Sequence, residues 1–349
     1  MIEREYQDVV QRSNYVFVNS LGLHLHLCGL KDYLLLNKGD FVQVSLENVA
    51  PVLIRPANSL YRHDLTSKLE TAVRSSNAYH DSAEVLKCVD ARMLELGHGD
   101  IGWDVFTLDY RLEGALKNVI LDPESRTEYL RVFNFLWRVR RVSYILGQSW
   151  RELRPTSHIN NDNTSDIRIS ARSSCTSMTH FISELHYYIT YEVISTSWIQ
   201  MEKELSSHLS TVDDIKAVHK RYLERIKQKG LLGGGGKLMS ESHGILKDIV
   251  VFGEVTNSIE EVELANDEQR TARVTETIYR VKRGFERRVE RLVMELGKFE
   301  DEELRFLGIR FDFNGYYTRA KEARDQRDRA DRLRSEEARN ERKRKEGAV

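Results

Sequence analysis

Residues 122–145 read DPESRTEYLRVFNFLWRVRRVSYI, and this stretch decides the fold class. Asp122 is a capping side chain, and Pro123 suits the first helical position, where its missing N–H costs nothing. Glu124 sets a negative charge against the positive end of the helix dipole. Leu130, Phe133, Leu136, Trp137, Val142 and Ile145 then fall on one side, so the segment is expected to be a helix with a wide apolar stripe. Arg131, Arg138, Arg140 and Arg141 flank that stripe and are expected to be solvated cations with buried stems.

Immediately upstream the period changes. Phe106, Leu108, Tyr110 and Leu112 alternate with Thr107, Asp109 and Arg111, a period of two and therefore a strand. Glu113-Gly114 can turn the chain, and Val119-Ile120-Leu121 can return as a second strand, which gives a hairpin near 104–121. One hairpin is not stable alone, so it is expected to lie against helices.

Helical patterns extend in both directions. Leu30, Tyr33, Leu34 and Leu36 precede the break at Gly39-Asp40, and Phe41, Val44, Leu46 and Val49 run to Pro51. A further helix from near Pro56 carries Leu60, Leu65, Leu69 and Val73, and Asp81 to Glu84 opens another, expected to reach Met93. Polar residues 154–168 suggest a loop. A long helix is expected from about Ser170 to Ser206, with Met178, Phe181, Ile182, Leu185, Tyr188, Ile189 and Val193 as its stripe. Thr211 with Asp214 forms a capping box for a helix that Gly230 ends. Gly233 to Gly236 is a spacer; helical periodicity resumes over 241–299, and 303–317 is apolar and aromatic. The fold class is therefore all-α, stacked helical bundles with one small β-hairpin. The expected divisions are a helical bundle over 1–85, a helical domain over 86–317 and a charged tail over 318–349. The tail is expected to be disordered or a lone solvated helix. Its last basic run, Arg342 to Lys345, is a candidate contact for an acidic partner or a nuclear import signal.

Composition agrees with long, solvated helices: 31% of the 349 residues are charged and only 4 are proline. The net charge of −1 supplies no field toward DNA or an anionic membrane. Cys28, Cys88 and Cys175 are sparse and far apart, which argues against a disulfide framework and a zinc site. The first residues lack a signal-peptide pattern, and no apolar run reaches the ~18 residues of a membrane span. A cytosolic or nuclear protein is expected, in which the sequon at Asn163 carries no meaning.

No catalytic constellation emerges. Gly233 to Lys237 superficially resembles a phosphate loop, but Leu238 stands where Ser or Thr is required and no strand precedes it. His24 and His26, and His180 and His186, lack the spacing of helical zinc ligands. Asp100 and Asp104 flank Trp103 among glycines, which reads as a turn.

Four longer passages carry a resemblance. Asp90 to Glu95 leads into Gly99-Asp100-Ile101-Gly102-Trp103-Asp104-Val105-Phe106-Thr107-Leu108-Asp109-Tyr110; Tyr129 to Arg138 and His186 to Val193 with Trp198 follow; Leu304-Arg305-Phe306-Leu307-Gly308-Ile309-Arg310-Phe311-Asp312-Phe313-Asn314 closes the series. Shorter matches begin at Tyr33 and include Gly39-Asp40-Phe41, Arg55-Pro56-Ala57, Leu60-Tyr61 and Leu69 to Arg74. This text resembles the C-terminal half of the γ-tubulin complex component family, most of all its component-three branch. Residues 151–170 and 230–275 match it poorly. The resemblance implies an all-α fold with a small hairpin, direct binding of γ-tubulin, and assembly with other γ-tubulin complex components at a centrosome or spindle pole body. It implies a non-catalytic scaffold for microtubule nucleation that needs no cofactor, with no membrane partner and no specific nucleic acid. Complete members are much longer, so a fragment or incomplete protein is expected, competent to bind γ-tubulin. Arg55, Tyr61, Asp64, Trp103, Phe311, Asn314 and Tyr316 are the expected γ-tubulin contacts. The rival class is a helical tether or adaptor in membrane traffic.

Overall fold

The Asp122 signal is realised as the helix Pro123–Glu152. Asp122 Oδ1 accepts the Ser125 N–H at 3.0 Å, the expected cap. Tyr129, Phe133, Leu136, Trp137 and Val142 are buried along it. The flanking cations divide. Arg131 and Arg138 are exposed. Arg141 is instead half-buried, with its guanidinium carbon 5.2 Å from the Trp103 ring centroid and its Nη1 3.6 Å from Asp104 Oδ1. A cation over an aromatic face is worth more when desolvated than a solvated flank would be.

This is a computed structural model; it describes residues 2–95, 97–154, 162–206, 211–232, 236–265, 268–319, 321–323 and 326. Contacts group the chain into two compact units, one of residues 1–151 with 185–234, the other of 152–184 with 235–349. Residues 1–85 and 86–151 belong to the same unit.

In the first unit, Gly39–Leu53 and Arg62–Arg74 pack as neighbouring helices through Phe41, Leu46, Val49, Leu65 and Leu69. The second of them starts at Arg62 rather than near Pro56, because Pro56 is extended and Ala57–Ser59 makes a short 3-10 turn first. Tyr33 donates to Asp81 at 2.5 Å and Lys38 reaches the other oxygen of the same carboxylate at 2.5 Å, which fixes the chain after the first helices. The sheet has two antiparallel strands, β1 Val89–Met93 and β2 Phe106–Tyr110, with Ala91 opposite Leu108. β2 is the expected strand; its partner is not. Ser82 does cap a helix, but the helix Ala83–Cys88 stops after six residues and the chain extends into β1 instead of remaining helical to Met93. Residues 115–119 are a short helix, so Val119 to Leu121 forms no strand. Five residues are too few for periodicity to separate the two states, and pairing against β2 decides.

The long helix after the polar stretch begins at Asp162, earlier than Ser170, so residues 162–168 are helical rather than loop. Residues 155–161 lie outside the described residues. The helix runs on through a π-helical stretch, Tyr188–Ser195, into Thr196–Ser206. Thr211 and Asp214 form the expected reciprocal cap, at 3.2 and 2.8 Å. Thr211→Ala is expected to cost about 1 kcal/mol, read as a lower urea midpoint.

The second unit is built on Lys237–Asn257, Glu268–Leu296 and Glu302–Phe311. Ile245, Ile249 and Phe252 are buried, as are Phe285, Val289, Leu292 and Leu296. Phe181 stacks on Phe311 with centroids 4.4 Å apart and meets Phe285 edge-on at 5.9 Å. Arg288 with Asp248 (3.0 Å) and Arg291 with Glu241 (2.8 Å) tie the two long helices at their edges. Of the glycine spacer, Gly233 to Gly235 lie outside the described residues, as does most of the charged tail, including Arg342 to Lys345. Among the described residues no helix is long and apolar enough to cross a membrane, and no three His, Cys, Asp or Glu side chains group as metal ligands.

Candidate partner-binding surfaces

The seven expected contact residues fall into one group in each unit. In the first unit, Arg55 is exposed and its carbonyl accepts the Gly102 N–H at 3.0 Å. The Ala57 N–H donates to the Asp100 carbonyl at 3.0 Å, and Pro56 bridges Ile101. The Arg55 loop is thereby clamped to the glycine-rich turn, whose shape Asp100 sets by accepting the Gly97 N–H at 2.7 Å. Tyr61 is 62% exposed and stacks on His63 at 5.6 Å. Asp64 is exposed in the first turn of Arg62–Arg74, where its charge complements the dipole. Trp103 is buried at 6% exposure under Arg141 and against Trp137, so its ring packs the core and holds the turn beneath Arg55 in place.

Gly102 is where backbone meets backbone. A Cβ there would sit 2.8 Å from Leu53 Cα and 2.9 Å from the Leu53 carbonyl oxygen. Backbone atoms of a buried helix cannot retreat as a side-chain tip can. Gly102→Ala is therefore expected to cost roughly 1–3 kcal/mol and to loosen the Arg55 loop, seen as faster amide exchange at Gly102.

In the second unit, Phe311 is buried at 4% exposure on Phe181, while Asn314 is exposed and the exposed Tyr316 donates to Glu286 at 3.2 Å. Asp312 organises this end of the chain. Its carboxylate accepts the Tyr317 N–H at 2.8 Å and the Thr318 N–H at 3.0 Å, and Gly315 takes a positive φ of 60°. Asn314 and Tyr316 thus stand on a braced turn. Sequence reasoning missed their neighbours. Phe306, Ile309 and Phe313 are exposed, Phe313 at 79%. The helix Glu302–Phe311 already buries Leu304, Leu307, Gly308 and Phe311, which is a complete inward face. Phe306 and Ile309, three apart, give the same helix a second, outward apolar strip, and Phe313 and Tyr316 are exposed in the turn and short helical stretch just beyond its end. The signal was present: a short helix with two apolar faces has one more than its own core needs. Arg310 lies 4.8 Å from the Phe306 centroid and keeps that ring oriented.

The family model described as Gamma tubulin complex component C-terminal matches residues 23–317, which include all of these positions. The chain belongs to the γ-tubulin complex component family. It is 35% identical over 339 residues to the spindle pole body component alp6 of Schizosaccharomyces pombe, covering 91% of this chain and 41% of that protein. It is 32% identical to the γ-tubulin complex component 3 homolog of Xenopus laevis, covering 93% of this chain and 40% of that one. It is likewise 32% identical to γ-tubulin complex component 3 of Homo sapiens, with 86% and 37% covered. The chain thus spans about two fifths of the length of these curated relatives. As a family member it has the expected all-α architecture with, among the described residues, a single small hairpin, although the hairpin joins different segments from those expected.

Proposed function

We propose that this chain binds γ-tubulin and serves as a non-catalytic scaffold in microtubule nucleation, in company with other γ-tubulin complex components at a centrosome or spindle pole body. The observation that carries the reading is the set of exposed apolar side chains Phe306, Ile309, Phe313 and Tyr316, on one short helix and the braced turn after it, within the region the family model matches. Exposed aromatics braced by a packed helix are the side chains that anchor protein interfaces, because they bury large area at little entropic cost. Asn314 supplies a polar group at the rim. Arg55, Tyr61 and Asp64 form the second proposed contact group, on the first unit, while Trp103 and Phe311 act from beneath as positioning residues.

In this reading the chain makes and breaks no bonds. GTP belongs to γ-tubulin, and the chain needs no cofactor. Holding several γ-tubulins at fixed spacing removes part of the translational and rotational cost of forming a microtubule nucleus. No observation favours the membrane-traffic reading, and neither a membrane nor a specific nucleic acid is proposed as a partner.

The test is co-elution of the chain with GTP-bound γ-tubulin on size exclusion, with αβ-tubulin as control. Co-elution with γ-tubulin alone is expected. Phe306→Ala and Phe313→Ala should each weaken it by about 1–3 kcal/mol without lowering the melting temperature. A folded chain that leaves γ-tubulin in its own fraction would refute the reading. Loss only with Arg55→Ala or Tyr61→Ala would shift the interface to the first unit.

A further inference from the structure

A second feature of the first unit is not used by the contacts above. Across the sheet, Asp90 of β1 stands directly opposite Asp109 of β2. Two carboxylates facing each other on neighbouring strands repel. Three arginines hold them together: Arg62 and Arg111 pair with Asp90, and Arg126 with Asp109 at 2.7 Å. Asp109 is buried beneath this cover. The arginines overcompensate. They line a groove of about 620 Å³, together with Arg92 and Lys117. Among the described residues, no carboxylate pairs with Arg92 or Lys117. Five lining cations against the lining Asp109 and Glu113, with Asp90 paired to Arg62 and Arg111 behind them, leave the groove two charges positive, on a chain whose net charge is −1. The Nε of Arg126 is buried and has no acceptor. Half-buried Met93 and the edges of the largely buried Leu112 and Leu121 supply a small apolar wall in the same groove.

We infer that this groove binds a short acidic peptide segment, two adjacent negative side chains meeting Arg92 and Lys117 and an apolar side chain lying on Met93, Leu112 and Leu121. The apolar wall favours a peptide over a bare anion, which would leave that wall wet. The arginines already committed to Asp90 and Asp109 fix the rim without being drawn away, so the site exists before the ligand arrives. Guanidinium groups accept carboxylate and phosphate oxygens in the same geometry, so the negative side chains are either glutamate and aspartate or phosphorylated residues. The inference is independent of γ-tubulin, because its probe is a peptide.

The experiment is fluorescence anisotropy at physiological salt with the whole chain. The probes are a labelled octapeptide of glutamates around one leucine, its phosphoserine counterpart, and inorganic pyrophosphate as unlabelled competitor. Saturable binding of at least one peptide is expected, and the tighter of the two identifies the source of charge. Arg92→Gln with Lys117→Gln should weaken it about tenfold or more, since each removes a charge-assisted contact. Arg74→Gln, which neutralises an exposed arginine paired with Glu70, should change it less than about twofold. Neither Arg92 nor Lys117 supports the fold through an ion pair, so the melting temperature should stay unchanged. No saturable binding by the folded chain, equal loss with Arg74→Gln, or complete displacement of both peptides by stoichiometric pyrophosphate would overturn the inference.

Discussion

Replacing Trp137 by alanine is expected to remove about 3–5 kcal/mol from the stability of the first unit. The indole is buried and stands among three aromatic rings. It stacks on Phe133 at 5.8 Å with planes 13° apart, meets Phe106 at 5.0 Å and Trp103 at 5.9 Å. Phe133 comes from its own helix, Phe106 from β2, and Trp103 from the short helix Gly102–Val105. One side chain therefore joins a long helix, the sheet and the turn that carries the Arg55 loop. No neighbour can fill the space it vacates, because each is fixed by a different backbone element. For a unit of this size the loss should appear as a fall of about 6–20 °C in melting temperature. Trp137→Phe provides the control. The indole Nε1 is buried without an acceptor, so phenylalanine deletes an unsatisfied donor along with some volume. It should cost less than about 1.5 kcal/mol. Urea unfolding followed by circular dichroism measures both. Equal damage from the two variants would mean that the site tolerates no change of shape at all, and that burial of aromatic area is not what Trp137 contributes.

The same helix shows how much was legible beforehand. Asp122-Pro123-Glu124 and the apolar stripe after it announce Pro123–Glu152, because capping and periodicity are local properties of the chain. β2 was legible for the same reason. Its partner was not, since Val89 to Met93 follows a genuine helix start at Ser82 and becomes a strand only by pairing with β2. The burial of Asp109 was equally hidden: alternation marks it as outward, and only Arg111 and Arg126, brought over it by the fold, make its burial tolerable. Of the expected contacts, Arg55, Tyr61, Asp64, Asn314 and Tyr316 are exposed, whereas Trp103 and Phe311 are buried. An aromatic residue in a distinctive motif reads the same whether it anchors a partner or packs a core. What separates the cases is the count of faces. Glu302–Phe311 needs one apolar face and has two, and that excess points to Phe306 and Ile309, with Phe313 exposed in the turn just beyond.

Acid should weaken the first unit well before its carboxylates titrate. His219 is fully enclosed, and burial holds it down at about 4 against an ordinary 6.5, with the charge of Asp122 opposing weakly. Its Nε2 is 2.9 Å from the hydroxyl of buried Tyr129, its ring lies against Tyr222, and its Nδ1 has no partner. His186 is held at about 4 by burial and then by the positive charge of Arg140; Thr190 lies 3.4 Å from its Nε2. A histidine whose folded pKa lies below the unfolded value is more easily protonated in the unfolded chain. Its contribution is therefore intact above pH 6.5 and drains away as pH falls toward 4. Each such group loses about 1.4 kcal/mol per pH unit in that window. From pH 7.5 to 5, His219 should account for about 2 kcal/mol and the less enclosed His186 for somewhat less. The low-lying carboxylates of Asp40, Asp122 and Glu204 act in the same direction but at lower pH, which keeps the window clean. Urea midpoints at pH 7.5 and 5.0 test this in the parent chain and in His219→Gln and His186→Gln. Glutamine keeps a polar group near Tyr129 or Thr190 and cannot titrate. Each variant should be less stable at pH 7.5 yet lose less on acidification, and the two together should flatten most of the slope. An unchanged slope in both would place the acid sensitivity outside these two, with His26, also lowered by burial, the next group to test. A flattened one would show that this part of the core is held by two imidazoles that the fold keeps neutral.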